Sequence, residues 1–352
     1  MQSLEHVLSR IRKASGEIGR RVRVMEVCGT HTHVIARAGL KPLVRDEVAL
    51  VSGPGCPVCV TAQRDIEKML LLARRPGVTV ATFGDMVRVP GINSSLERAR
   101  AEGADVRVVY SARDALELAR SDPSGEVVFL AVGFETTAPG VASVALEAAE
   151  SGTANFSLLV SHKRIVPAMA AVLDGRVALD GFLTPGHVSV IIGSGAYEPL
   201  VREYGVPCVA TGFEPCDVLE GLAMLLEIVA EHRAESVIQY TRAVTPGGNA
   251  RARDIMMRVF ETADAEWRGL GVIPGSGLRL REEFRKLDAE ERFSLPEVPP
   301  TEIEGCACGE VLKGLLDPAH CPLFGNRCTP ESPVGPCMVS SEGSCAATYR
   351  YG

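Results

Sequence analysis

The cysteines of this 352-residue chain are concentrated at its C-terminal end. Six of the eleven lie beyond residue 300, at Cys306, Cys308, Cys321, Cys328, Cys337 and Cys345. Glycine and proline are frequent around them, and such residues allow a backbone to turn tightly about a metal centre. Thiolates at this density are typical of a polynuclear metal cluster, so we expect the rest of the chain to use such a centre or to be served by it.

A separate thiol lies in the hexapeptide CGTHTH at residues 28–33. Because this segment follows a predicted strand and begins a predicted helix, backbone N–H groups and the helix dipole should lower the pKa of Cys28. His31 and His33 are two residues apart, so on a helix they point in different directions and do not simply form a joint ligand pair. A buried cysteine beside surface histidines is the alternative interpretation of this hexapeptide.

The sequence GPGCPVC at residues 53–59 contains a Cys-x-x-Cys pair, Cys56 and Cys59. Such a pair at the start of a helix can form a strained, reducible disulfide. Half of a zinc site is the alternative, but no second Cys-x-x-Cys or His-x-x-x-His lies nearby in the sequence to complete a tetrahedral set. The pair therefore favours redox chemistry or transient metal binding.

Acidic residues and a histidine follow later predicted strands. Glu135 lies in GFETT at residues 133–137, His187 lies in TPGH at residues 184–187, and GFEPCD at residues 212–217 adds Glu214 and Asp217. Each of these alone is most simply a helix N-cap. Together they would form a polar rim suited to proton transfer or to the support of a metal.

Strand-like runs alternate with helical ones along most of the chain. The predicted strands are residues 22–27, 48–52, 78–83, 127–132, 156–160, 181–183 and 206–211. This βαβ rhythm predicts an α/β fold with mostly parallel sheets. A third region holds a predicted helix at residues 250–267 and then the cysteine-rich tail.

The strand ends of two halves of the chain look alike. Residues 25–30, 52–56 and 81–85 resemble residues 131–136, 183–187 and 210–214, in that order. We infer two similar Rossmann-like α/β domains whose strand ends face a shared cleft, with chance similarity of glycine-rich turns as the alternative. The predicted division is an N-terminal helix at residues 1–20, α/β domains at residues 21–122 and 123–238, and a helical, cluster-binding domain at residues 239–352.

Composition excludes several classes of protein. With 46% hydrophobic and 23% charged residues and no long uncharged apolar run, the chain predicts no transmembrane helix. The early Glu5 argues against a signal peptide, so we expect a cytoplasmic protein, in which an odd number of cysteines favours metal or redox chemistry over disulfides. A net charge of −7 without a basic stripe argues against nucleic-acid binding, and no Walker or Gly-x-Gly-x-x-Gly motif supports nucleotide binding.

Five separated motifs, in order, resemble the signature set of the HypD family of hydrogenase maturation factors. They are CGTHTH at residues 28–33, GPGCPVC at residues 53–59, GFETT at residues 133–137, PGHVSVIIG at residues 185–193, and a tail with CPLFGNRCTP at residues 321–330 and GPCMVSSEG at residues 335–343. The resemblance runs from about Val24 to the C-terminus. It implies two similar α/β domains and a cluster domain.

The resemblance also implies a function and partners. The chain would be a scaffold on which the Fe(CN)2CO unit of nickel-iron hydrogenases is built, rather than a conventional turnover enzyme. A small HypC-type chaperone would share the iron with Cys28, and HypE, working with HypF, would supply cyanide. The thiols of Cys56 and Cys59 would exchange electrons with a [4Fe-4S] cluster, and the hydrogenase large subunit would be served indirectly.

The chemistry of the residues agrees with this expectation. Iron that carries strong-field diatomic ligands suits soft thiolates, which Cys28 with one or both of Cys56 and Cys59 can provide. His33 and Glu135 are candidates for proton handling or for support of the iron site. For the cluster we favour Cys308, Cys321, Cys328 and Cys345, and spacing alone leaves Cys306 and Cys337 open.

Two other functions fit parts of the sequence. One is an iron-sulfur disulfide reductase, in which the cluster would reduce the Cys56–Cys59 disulfide for a protein substrate. The other is a zinc-stabilised binding module without a redox role. The first predicts turnover of substrate disulfides without bound mononuclear iron, and the second predicts a colourless protein.

Overall fold

The computed structural model of the chain describes residues 3–175, 177–301 and 303–352. Its strands are β1 (Val22–Glu26), β2 (Val48–Ser52), β3 (Val78–Thr82), β4 (Asp105–Val108), β5 (Glu126–Gly133), β6 (Phe156–His162), β7 (Gly181–Pro185), β8 (Cys208–Thr211), β9 (Ser236–Ile238), β10 (Phe260–Trp267) and β11 (Gly271–Leu280).

The α-helices are α1 (Leu4–Ile18), α2 (Gly29–Arg37), α3 (Leu40–Leu43), α4 (Pro57–Val60), α5 (Gln63–Ala73), α6 (Gly84–Val87), α7 (Leu96–Ala101), α8 (Ala112–Ser121), α9 (Ala138–Ser151), α10 (Ile165–Asp174), α11 (Gly186–Ile192), α12 (Glu198–Tyr204), α13 (Pro215–Ala230), α14 (Ala250–Val259), α15 (Ala289–Arg292), α16 (Cys308–Leu312) and α17 (Ser344–Tyr351). Short 3₁₀ helices cover Ser194–Tyr197, Glu282–Leu287, Pro318–His320 and Pro336–Met338.

Two parallel sheets form the body of the protein, which confirms the predicted α/β class. The first sheet has the order β2-β1-β7-β8-β9 and the second has the order β4-β3-β5-β6. Helices cover the faces of such sheets, so their strands are apolar on both sides. Strands β7 and β8 accordingly are buried at every position, and β5 is buried at all positions but its first.

The two sheets have the same topology. When the strands of each sheet are numbered in chain order, both sheets read 2-1-3-4, and the first continues with a fifth strand. In this arrangement the strand order reverses between β1 and β7 in the first sheet and between β3 and β5 in the second. Ligands bind beyond the carboxyl ends of the strands at such switch points.

The strands are grouped differently from the predicted division at residue 122. The second sheet is inserted between β2 and β7 of the first, because β1 pairs in parallel with both β2 and β7. The topological equivalents are therefore β1 with β3 and β2 with β4. Local sequence does not carry this information, since glycine-rich turns follow parallel strands wherever these strands lie in the chain.

The N-terminal helix packs on the first domain. Its buried stripe includes Val7 and Ile11, and the Arg10 guanidinium donates to the carboxylate of Glu227 on α13 at 2.7 Å. Residues 1 and 2 of the predicted helix lie outside the described residues. Helix α1 is thus a layer of the first α/β domain.

The region after the first sheet differs from the predicted long helix at residues 250–267. Helix α14 ends at Val259, and the following residues form an antiparallel hairpin of β10 and β11. The sequence FETADAEW alternates between more and less buried positions, which is the period of a strand. Trp267 closes the hairpin on the core, where its indole N–H donates to Ser276 Oγ at 2.8 Å.

One continuous apolar core joins the first sheet, the CPVC helix and the cysteine-rich tail. It includes Met25, Cys59, Phe134, Cys337 and Ala346. Among the described residues, no helix is both long and apolar enough to cross a membrane.

Candidate metal centre

The motifs at residues 28–33 and 53–59 lie together at the carboxyl ends of β1 and β2. The Gly29 N–H donates to the carbonyl oxygen of Gly55 at 3.2 Å. A Cβ atom on Gly55 would lie 2.1 Å from the carbonyl carbon of Val27 and 2.2 Å from the Cys28 nitrogen. The loop that leads to Cys56 therefore packs backbone to backbone against Cys28, and this contact requires glycine.

The Cys28 thiol is almost enclosed. Cys28 precedes α2 in an extended conformation and is 8% exposed. Burial raises the pKa of this thiol to about 12, because the opposing hydrogen bond from the His31 N–H is the smaller effect. The predicted lowering of the Cys28 pKa is therefore wrong, because desolvation of the thiol exceeds its stabilisation by the start of the helix.

A buried carboxyl group supports this position. The carboxylate of Glu26 accepts the Cys28 N–H at 3.1 Å and the Thr32 hydroxyl at 2.5 Å. Burial raises the pKa of Glu26 to about 7. Sequence reasoning missed Glu26, and the signal for it was a buried acidic residue at the end of a strand whose other inward-facing residues are apolar.

A second missed acid comes from the tail. Glu342 accepts the Thr30 hydroxyl at 2.7 Å, and its Cβ would lie 2.6 Å from a Cβ on Gly29. It also contributes to the raised pKa of Cys28. Its place beside Cys28 depends on a contact across more than 300 residues, which no local pattern indicates.

The two cysteines of the CPVC motif lie at the same sheet edge as Cys28, further towards the protein interior. Cys56 precedes α4, and its sulfur accepts the Cys59 N–H at 3.3 Å. Cys59 is completely buried, and burial raises its pKa well above the ordinary value. Its thiol interacts with those of Cys56 and Cys337.

All six C-terminal cysteines line one cavity. The lining residues are Cys306, Cys308, Cys321, Leu323, Phe324, Cys328, Gly335, Cys337, Met338 and Cys345. The sulfurs of Cys308 and Cys337 are 2.8 Å apart. Tight turns shape the wall, as where the Val334 N–H donates to the Cys328 sulfur at 3.3 Å. Because Cys337 also interacts with Cys59, the cavity and the CPVC pair are continuous.

The two histidines of the hexapeptide have separate environments. His31 is buried, with its Nε2 at 2.9 Å from the Gly212 carbonyl oxygen and its ring against Phe213, and burial lowers its pKa to about 4. His33 is half-buried, with its Nδ1 at 3.2 Å from the Ser341 carbonyl oxygen and its ring edge against Tyr351. His33 thus contacts the C-terminal tail.

The other predicted polar residues lie at further strand ends. Glu135 is buried after β5, where its carboxylate accepts the Ile165 N–H at 3.1 Å, and burial raises its pKa to about 7. His187 is exposed after β7 and stacks on Phe213, with ring centroids 4.0 Å apart. Glu135 therefore supports the start of α10 at the edge of the second sheet.

The described ranges contain no three histidine, cysteine, aspartate or glutamate side chains arranged as a ready-made site for a single metal ion. The thiols of Cys28, Cys56 and Cys59 lie at the same edge of the first sheet but do not form a closed coordination shell. A metal bound there would need reoriented side chains or donors from another molecule.

The fold and the site define an α/β protein in which a lone thiol, a Cys-x-x-Cys pair and a cysteine-lined cavity form one continuous sulfur-rich region. A model of the HypD family, described as "Hydrogenase formation hypA family", matches residues 2–352. The chain therefore belongs to the HypD family of hydrogenase maturation factors, as the sequence motifs predicted.

Individual relatives agree with this assignment. A hydrogenase maturation factor HypD from Azotobacter vinelandii is 49% identical over 347 residues, covering 96% of this chain and 92% of that protein. The HypD of Cupriavidus necator is 46% identical over 349 residues, covering 97% and 92%. A putative hydrogenase expression/formation protein from Methanocaldococcus jannaschii is 41% identical over 348 residues, covering 99% and 97%.

Proposed function

We propose that this protein is the scaffold on which iron acquires the cyanide and carbonyl ligands of the nickel-iron hydrogenase centre, Fe(CN)2CO, in complex with a small HypC-type chaperone. One observation carries the proposal. The backbone of Cys28 packs directly against the loop that leads to Cys56 and Cys59. Thiols from two motifs thus share one edge, where soft sulfur donors suit low-spin iron.

Iron is the cargo of this site, and Cys28 is its anchor. A metal cation supplies the counter-charge that the buried thiol lacks, so iron binding releases the Cys28 proton despite the pKa of about 12. Glu26 holds the Cys28 backbone N–H, which fixes the direction of the side chain. The Glu342 side chain lies against Gly29 and so limits the space through which a ligand reaches the Cys28 thiol.

Partners complete the site. Because no ready-made group of three donors occurs in the described part of the chain, the HypC-type chaperone contributes further ligands to the iron. HypE, working with HypF, brings the cyanide, and the hydrogenase large subunit receives the finished unit.

The residues that line the cavity support a [4Fe-4S] cluster, because cysteine thiolates beside an apolar wall of Leu323 and Phe324 are the donors that such clusters use. When bound, the cluster supplies single electrons. Cys308 and Cys337, with sulfurs 2.8 Å apart, are placed to act as a pair, which leaves the other four cysteines of the cavity for the cluster. We therefore assign the cluster to a revised set in which Cys306 replaces Cys308, together with Cys321, Cys328 and Cys345.

Cys308 and Cys337 then form a dithiol between the cavity and the CPVC pair. The Cys337 thiolate attacks Cys59 in a Cys56–Cys59 disulfide, and Cys56 leaves as a thiolate. Cys308 attacks Cys337 and releases Cys59, which leaves a Cys308–Cys337 disulfide. Two electrons pass to the CPVC pair, and two protons from the attacking thiols rebalance the products.

Infrared spectroscopy tests the scaffold. The protein is purified anaerobically with the HypC-type chaperone from cells that also contain HypE and HypF, and bands of iron-bound cyanide and carbonyl are expected. Cys28→Ala should abolish these bands, whereas Cys216→Ala, at an exposed cysteine, should retain them. Bands that persist in Cys28→Ala would remove Cys28 from its role.

A pair of variants tests the cluster ligands. Cys306→Ser should lose the cluster absorption, iron and sulfide, whereas Cys308→Ser should keep them and lose electron transfer to Cys56 and Cys59. The opposite result would restore the set that contains Cys308. A colourless protein that contains zinc would favour the binding-module function instead.

The disulfide reductase remains a second candidate, because Cys59 and Cys337 interact directly. It predicts that the protein, given a reductant for its cluster, reduces a disulfide of another protein repeatedly in the absence of mononuclear iron. Failure to turn over such a substrate while the infrared bands form would exclude it.

A further inference from the structure

One short segment of the tail touches the carboxyl edges of both sheets. The Ser340 hydroxyl donates to Asp85, after β3, at 2.8 Å. Two residues later, Glu342 accepts the Thr30 hydroxyl, after β1, at 2.7 Å. Residues 340–343, which we call the strap, therefore connect the switch points of the two α/β domains.

The strap is anchored at both ends in the cysteine-lined cavity. Cys337 lies three residues before it and Cys345 two residues after it, and both line the cavity. The Gly343 N–H donates to the Ser340 carbonyl oxygen at 2.9 Å, and a Cβ on Gly343 would lie 2.2 Å from the Cys337 carbonyl oxygen. This tight turn leaves little slack between the cavity and the two sheets.

The helix that follows the strap packs on the helix that follows Cys28. Helix α17 contacts α2, where the Ser341 carbonyl oxygen and the Tyr351 ring both meet His33. The contact between Glu342 and Gly29 lies at the first residue of α2. The Cys28 helix is thus held on one side by the strap and α17.

We infer that the strap is a positioning element: a filled cysteine cavity fixes residues 340–343, and these residues hold the helix after Cys28 and the loop after β3 at a set separation. The cluster must then be in place before the Cys28 site is ordered. This inference rests on the proposed function, in which the cavity holds a cluster and Cys28 holds iron.

A bound cluster should order the strap because the helices around the cavity are short. Helix α16 has five residues and α17 has eight, and helices this short are not stable by themselves. Bonds from a cluster to Cys345 and its neighbours would replace weak thiol contacts and order the turns between them. Hydrogen bonds of two hydroxyl groups connect the ordered turns to the two sheets. Ser340, which is 1% exposed, donates to Asp85, and Thr30 donates to Glu342.

Hydrogen exchange followed by mass spectrometry tests the inference on the full-length protein. Exchange is measured for peptides covering α2, α6 and, as an internal reference, α9. Anaerobic removal of the cluster with a chelator should speed exchange in α2 and α6 at least tenfold and leave α9 unchanged. Equal exchange in α2 with and without the cluster would overturn the inference.

Two variants separate the arms of the strap while the cluster stays bound. Thr30→Val removes the donor to Glu342 and should speed exchange in α2 about fivefold, the effect of one lost hydrogen bond, with iron and sulfide content unchanged. Thr30→Ser keeps the hydroxyl and should restore protection. Ser340→Ala should act mainly on α6 and more weakly on α2, because the same hydroxyl also accepts the Glu342 N–H at 3.2 Å, and the exposed Ser9→Ala on α1 should act on neither.

Each remaining outcome decides the matter. If Thr30→Val loses its cluster together with protection, the strap supports the cluster rather than transmitting its presence, and the inference fails. If Thr30→Val and Ser340→Ala exchange like the wild type, the hydroxyl contacts do not carry the coupling. If the infrared bands of cyanide are missing while the cluster still protects α2 from hydrogen exchange, only the scaffold function is contradicted. The exchange experiment requires neither a partner protein nor a diatomic ligand.

Discussion

The two parallel sheets share a strand order, yet their carboxyl edges carry different chemistry. The first edge holds Cys28 after β1 and Cys56 after β2. The second holds Asp85 after β3 and Glu135 after β5, and residues 60–207 contain no cysteine at all. The position after the first strand of each sheet is thus occupied by a thiol, Cys28, in one domain and by a carboxylate, Asp85, in the other.

The carboxylates of the second edge are used within the protein. Glu135 accepts the first N–H of α10, and Asp85 accepts the Ser340 hydroxyl. At the first edge the carboxylate of Glu26 instead holds the backbone of Cys28 and leaves the sulfur available. Topology therefore supplies two comparable positions, and the residue types placed there decide which one offers a thiol donor.

The largest expected difference between the edges is in their tolerance of a methyl group. Gly29 and Gly84 are the first residues of the helices that follow the equivalent strands β1 and β3. A Cβ on Gly84 would lie 3.8 Å from its nearest neighbour, whereas a Cβ on Gly55, beside Cys28, would lie 2.1 Å from backbone. Gly55→Ala should lower the free energy of unfolding by about 3 kcal/mol or more.

The matched variants refine this prediction. Gly29→Ala would place its Cβ 2.6 Å from the Glu342 Cβ, so the backbone at Glu342 must also shift, and should cost about 2 kcal/mol, whereas Gly84→Ala should change stability by less than about 1 kcal/mol, since alanine suits a helix. Urea denaturation of the three variants measures the order. A Gly55→Ala protein as stable as Gly84→Ala would contradict the packing of the CPVC loop on Cys28.

The buried acid of the second edge should make stability depend on pH. Burial raises the pKa of Glu135 from its ordinary value of 4.5 to about 7, so the folded protein binds this proton more tightly than the unfolded chain. Its contribution to stability is complete below about pH 4.5 and is lost as the pH rises through 7, a change of about 3 kcal/mol.

Glu135→Gln should remove this part of the pH dependence between pH 4.5 and 7. Glu150→Gln, at an exposed position of α9, should leave the slope as in the wild type. Denaturation at several pH values measures both. Parallel curves for Glu135→Gln and the wild type would show that Glu135 titrates like an exposed acid.

Much of the fold could be predicted from the sequence, because its signals are local. Apolar runs such as residues 127–132 indicated buried parallel strands, and the glycine-rich ends of these runs indicated the edge where Cys28 and Cys56 meet. The grouping of strands could not be predicted in this way, since β1 pairs with β7 at a distance of more than 150 residues.

For the functional site, too, local features could be predicted and long-range contacts could not. The cysteine spacing indicated the lone thiol, the CPVC pair and the cysteine-lined cavity. Glu26 and Glu342 were missed because their roles depend on tertiary contacts with Cys28 and Thr30. The pKa of Cys28 was predicted in the wrong direction, because the sequence shows the start of the helix and does not show how completely the folded chain buries the thiol.

The smallest expected difference concerns two buried histidines. His31, at the first edge, has its Nε2 beside the carbonyl oxygens of Thr211 and Gly212 and only its Nδ1 without a partner, whereas neither ring nitrogen of His162, at the second edge, has a hydrogen-bond partner within the described residues. A buried polar group without a hydrogen-bond partner destabilises the folded protein, while a hydrogen-bonded one stabilises it.

At pH 7.5, His31→Phe should therefore destabilise the protein by about 1–2 kcal/mol, whereas His162→Phe should be neutral or stabilise it by about 1 kcal/mol. Thermal unfolding of both variants distinguishes these signs, and equal losses would mean that ring packing, as of His162 against Phe260, outweighs hydrogen bonding at both edges.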